Sequence, residues 1–77
     1  MPTLNELFEK TWIISSTEYR VLLARLDKYK GPNGNENILL NLISLKEGQS
    51  KIIAIPQTSL ETLSECLNEV IQGLKAQ

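Results

Sequence analysis

Residues 37–56 read NILLNLISLKEGQSKIIAIP, and how this run divides decides the fold. Asn37–Leu45 is nearly continuous aliphatic sequence, with Asn41 and Ser44 on opposite faces of a period-two strand. Ser50–Ile55 is short, rich in β-branched residues and stopped by Pro56, which has no N–H to donate to a ladder. Between the two, Lys46–Glu47–Gly48–Gln49 makes a hairpin turn in which Gly48 can take the positive φ that such turns often need. The run therefore predicts two antiparallel strands, at residues 37–45 and 50–55.

Downstream the period changes from two to 3.6. Leu60, Leu63, Leu67, Val70, Ile71 and Leu74 recur at intervals of three and four, which predicts an amphipathic helix at residues 59–74. Thr58 stands three residues before Glu61, the spacing of a capping box, and Pro56 disfavours a helix arriving from upstream. Glu61 and Glu65 lie near the positive end of the helix dipole and Lys75 near the negative end, both favourable.

Upstream, Lys30–Gly31–Pro32–Asn33–Gly34–Asn35–Glu36 is the strongest turn signal in the chain and predicts an exposed loop longer than a two-residue hairpin. Before it, residues 19–27 read as a strand with Tyr19, Val21 and Leu23 on one face and Leu22, Ala24 and Leu26 on the other. The first eighteen residues support two readings. Phe8, Lys10, Trp12 and Ile14 alternate as in a strand over residues 7–15, whereas the Thr3/Glu6 pair and Leu4, Leu7 and Phe8 suit a short helix at residues 4–10. The preferred reading is α+β, an antiparallel four-stranded meander (7–15, 19–27, 37–45, 50–55) followed by one long C-terminal helix (59–74) laid across one face. The alternative is α-β-β-β-α with the short helix at 4–10.

Length and composition bound what such a fold can do. The 77 residues suffice for a single small domain, 1–77, and are 42% hydrophobic and 22% charged, which is globular composition. A chain this short buries only about 60% of its unfolded surface, against an ordering cost of roughly 1.5 kcal/mol per residue. Apolar residues on both faces of the strands, with one helix to cover them, point to a homodimer. Cys66 is the only cysteine and there is no histidine, so an internal disulfide, imidazole general bases and multi-cysteine metal sites are excluded. No phosphate loop ends in Gly-Lys-Ser/Thr, and Glu61, Glu65 and Glu69 read as a solvated helix face. The expectation is a non-enzyme without cofactors or metals. The lone cysteine, and the lack of an apolar run near the 20 residues needed to span a bilayer, suggest a cytoplasmic protein without membrane contact.

A net charge of −1 hides a pattern: residues 19–51 carry net +3, and the segments on either side carry −2 each. The basic middle, with aromatics at its borders, makes Arg20, Arg25, Lys28, Tyr29, Lys30, Trp12 and Tyr19 the candidate nucleic-acid-binding residues. Trp12 and Tyr19 would form a stacking platform with Arg20 or Arg25, and Lys28–Tyr29–Lys30 a phosphate-and-base contact. The competing reading of these residues is an ordinary solvated surface, with Trp12 in the core or an interface.

Four pieces, Glu6–Leu7–Phe8, Tyr19–Arg20–Val21–Leu22–Leu23, Asn37–Ile38–Leu39–Leu40–Asn41–Leu42 and Leu63–Ser64–Glu65–Cys66–Leu67–Asn68–Glu69–Val70–Ile71, resemble the layout of bacterial single-domain PUR-alpha-type proteins. The layout is also similar to the wider group of PC4-like and Whirly-like folds. The resemblance implies a curved β-β-β-β-α unit that dimerises and binds single-stranded DNA or RNA through its sheet, with Arg20, Arg25 and Tyr19 on the binding face. Val21, Leu22 and Leu23 stand where that family tends to carry adjacent aromatics. Leu4–Asn5–Glu6–Leu7 resembles the opening of double-stranded RNA-binding domains, but Thr58–Ser59–Leu60–Glu61 lacks the lysines of their last helix. Two functions follow as expectations: a small dimeric nucleic-acid-binding regulator of transcription or RNA, or a protein-protein interaction module that meets a protein partner through its aliphatic strands.

Overall fold

Thr3 opens the first element. In the computed structural model, which describes residues 2–77, its hydroxyl accepts from the Glu6 N–H at 3.3 Å and caps a single turn, α1, Leu4–Leu7. The β-prone sequence TWIISS then takes over as strand β1, Thr11–Ser16. The two readings of the N-terminus are therefore both partly right. The helix is real but ends at Leu7 rather than residue 10, and the strand is real but starts at Thr11 rather than residue 7.

The remaining strands are β2, Arg20–Lys30, β3, Glu36–Lys46, and β4, Gln49–Pro56. They form one antiparallel sheet in the order β1-β2-β3-β4, the expected meander. Each connection has a local cause. Thr17 caps the β1–β2 turn: its hydroxyl accepts from the N–H of Tyr19 at 3.3 Å and of Arg20 at 3.1 Å. The β3–β4 hairpin closes through Glu47–Gly48, with Gly48 at φ +74°. The glycine-rich loop is shorter than expected, because β2 and β3 continue pairing through Lys28↔Ile38, Tyr29↔Asn37 and Lys30↔Glu36. Only residues 31–35 remain as loop, held by Gly31 N–H to Asn35 O at 3.0 Å and Gly34 N–H to Gly31 O at 2.9 Å.

The register defines two faces. Across the first, which we call the front, runs the row Trp12, Ala24, Leu42, Ile53; across the back runs Ile13, Leu23, Ile43, Ile52. The pairing slips between Ile13 and Ser15, leaving Ile14 in a bulge at the β1 edge. Pro56 ends β4 at the other edge, where a missing N–H costs no ladder bond.

A 3-10 turn, Gln57–Ser59, leads into the long helix α2, Leu60–Lys75. The expected Thr58/Glu61 cap gives way to this turn, and Ser59 at the N-cap makes no side-chain capping bond. The larger correction concerns where α2 goes. It does not lie across the sheet: the 3-10 turn packs on β3, Leu60 and Leu63 are half-buried, and beyond them the helix leaves the sheet. Leu67, Val70, Ile71 and Leu74 are exposed, Leu67 at 52% and Leu74 at 64%. Among the described residues only Ala24, within the Trp12 row, is buried.

Candidate nucleic-acid interface

Side-chain alternation sorts the cations. Arg20, Lys28 and Lys30 of β2, Lys46 of β3 and Lys51 of β4 all fall on the front face, with Glu36 the sole strand carboxylate beside them. Lys10 joins them from just outside β1, its Nζ lying 5.3 Å from the centre of the Trp12 ring. The back face carries one charged couple. Arg25 Nε donates to Asp27 Oδ2 at 3.2 Å, and the Asn41 amide donates to the same carboxylate oxygen. A sequence with net charge −1 thus folds into a sheet that is aliphatic along the middle of both faces and carries all its strand cations but Arg25 on one of them.

The cations are densest where the β3–β4 hairpin meets the start of β2. Arg20 lies opposite Lys46, Lys46 opposite Gln49, and Ser44 opposite Lys51. Together with Ser50 they line a hollow of about 160 Å³, the share of liquid volume of about five water molecules. Three cations with hydroxyl and amide donors around one hollow can hold a phosphate or another compact anion. Among the described residues no carboxylate reaches them within ion-pairing distance, although Glu18 and Glu47 border the site in the adjoining turns.

At the opposite end of the front face, Phe8 follows α1 and is half-buried, with the Lys28 Nζ 4.9 Å from its ring centre. Phe8 lines an open hollow together with Asn5, Glu9, Leu26, Asp27 and Lys28. One residue past α1, it thus meets β2 at Lys28. Trp12 is half-buried beside Ala24, leaving part of the indole open on the basic side.

The candidate residues named from sequence do not form one site. Trp12, Arg20, Lys28 and Lys30 share the front face, whereas Arg25 and Tyr29 lie on the back. Arg25 pairs with Thr11 and Trp12 with Ala24, so Trp12 and Arg25 point to opposite sides. The Lys28–Tyr29–Lys30 trio is divided for the same reason, because β2 runs on through Lys30 and alternation turns Tyr29 away from its neighbours. Tyr19 precedes β2 and is 77% exposed in the turn, remote in register from Trp12, so the two rings make no platform. Lys46 and Lys51 were missed as site residues. The hairpin itself carried the signal: a two-residue turn at Glu47–Gly48 places Ser44 opposite Lys51 and puts both lysines on one face.

The fold and site together define a small α+β domain whose antiparallel sheet gathers five strand cations on one face. The chain matches no family model, no curated protein and no solved structure. Among the described residues no cluster of histidine, cysteine and carboxylate side chains is arranged to hold a metal ion. No helix among them is long and apolar enough to cross a membrane.

Proposed function

We propose that the protein is a non-catalytic, homodimeric module that binds single-stranded nucleic acid along the front face of its sheet, acting in the cytoplasm on DNA or RNA. The observation that carries this reading is the gathering of Arg20, Lys28, Lys30, Lys46 and Lys51 on one side of the sheet. A row of cations over a flat, partly aliphatic surface suits a flexible polyanion: phosphates meet the lysines and arginine while bases lie on the apolar centre around Leu42 and Trp12. The strand order and terminal helix, which resemble the PC4-like layout, support the same reading.

The aliphatic back face supports a second reading, a protein-interaction module whose partner is another protein. Anisotropy of a labelled single-stranded oligonucleotide separates the two. Binding that weakens steeply with salt and is impaired by alanine at Lys46 and Lys51 supports the first. No binding at about 50 mM salt, where phosphate contacts are strong, leaves the second.

A further inference from the structure

The helix and the back face are each left uncovered, and each is built to cover the other. On α2 the exposed Leu67, Val70, Ile71 and Leu74 continue the stripe begun by Leu60 and Leu63, while Glu61, Glu65 and Glu69 lie on the opposite side. On the back face Ile13 is 70% exposed and Ile52 61% exposed, flanking the half-buried Leu23 and Ile43. The sole charges there, Arg25 and Asp27, already satisfy each other.

The area involved is large. The chain exposes 6576 Å², whereas a folded monomer of 8.7 kDa exposes about 4,700 Å². Its radius of gyration is 14.8 Å, against about 11.5 Å for a compact chain of this length. The excess of about 1,800 Å² per chain is more than twice the ~800 Å² per partner of a standard interface, and doubled it falls in the obligate-dimer range.

We infer that α2 docks on the back face of a second copy of this chain, which returns its own helix in exchange, making a reciprocal two-fold dimer. A second copy fits because one chain carries both halves of the contact, so a two-fold arrangement covers two helices and two back faces at once. Both faces offer aliphatic side chains, the front through Leu22, Leu40, Leu42 and Ile53; the back receives the helix because covering the front would desolvate its cations without partners. The 3-10 turn packed on β3 leads the helix outward from its own sheet, so its stripe stays uncovered within the chain. In the dimer Glu61, Glu65 and Glu69 face solvent on the back side, away from both basic faces.

The inference deepens the proposed function by assigning the dimer contact, and its test reads mass in the absence of nucleic acid, so either idea can fail without the other. Multi-angle light scattering of the intact chain should give twice 8.7 kDa. Leu67→Asp with Ile71→Asp on the helix, and separately Ile52→Asp on the back face, should each raise the dimer dissociation constant by roughly 100-fold or more, given about 1.5–3 kcal/mol for each buried aliphatic side chain. Circular dichroism should still show the sheet. Ile53→Asp, on the front at 64% exposure, should leave the mass unchanged. A wild-type monomer, as expected if α2 closes on its own sheet, overturns the inference. So does a dimer that survives either set of variants, which would refer the contact to the strand edges, or one abolished by Ile53→Asp.

Discussion

Removing Lys46 and Lys51 together tests whether the front face binds phosphate, and the structure sets the expected size of the effect. Five strand cations face that side: Arg20, Lys28, Lys30, Lys46 and Lys51. If each neutralises one phosphate of a single strand, log K falls against log salt with a slope of about −0.7 per contact, hence about −3.5 per sheet. Raising salt fourfold, from about 50 to about 200 mM, then weakens binding by about 130-fold. The Lys46→Ala, Lys51→Ala double variant retains three contacts, a slope of about −2.1 and only about a 20-fold loss over the same interval. Both side chains are exposed and, among the described residues, neither is in an ion pair, so the fold should tolerate the change. The assay is fluorescence anisotropy of a labelled mixed-sequence oligonucleotide at several salt concentrations, with circular dichroism as the control for folding. Wild-type binding whose salt slope is unchanged in the double variant would refute the placement of phosphate on this face.

Other outcomes follow from the same geometry. Arg25→Ala should leave oligonucleotide affinity within about twofold, because Arg25 lies on the back, and should cost less than about 1 kcal/mol in urea unfolding, as its pair with Asp27 is solvent-exposed; a large loss of affinity would contradict the division into faces. Trp12 is the only tryptophan, so a base stacking on the front should quench its emission, and Trp12→Leu should weaken binding by the roughly 1–3 kcal/mol of a stacked base. Unchanged emission at saturation would exclude stacking at that ring. Gly48→Ala meets no atom within 4 Å but must hold φ near +74°, so chemical denaturation should show a loss of about 1–2 kcal/mol. Gly73→Ala, equally unobstructed inside α2 and without positive φ, should instead gain up to about 1 kcal/mol.

The strands and the helix were legible from residues 37–74 because their signals are local. A period-two aliphatic run, a glycine at the turn and a 3.6-residue leucine repeat each act over a few residues, and the structure places β3, β4 and α2 within a residue or so of the expected bounds. The N-terminus was ambiguous because two local preferences overlap there, a Thr3 cap and a β-prone TWIISS, and the chain satisfies both in succession. The candidate site was legible only in part. Charge counting found the basic segment, but it could not say which cations share a side.

Sequence alone thus determined element type, strand order and the amphipathic character of α2, all set by backbone propensity and side-chain period. Tertiary structure decided the rest. Strand register brought Arg20 opposite Lys46, and Ser44 opposite Lys51, so that cations of three strands share one side, because one residue of slip exchanges the two faces of a strand against its neighbour. The course of α2 was likewise a matter of packing: its stripe requires an apolar surface, but the period of that stripe does not say whose.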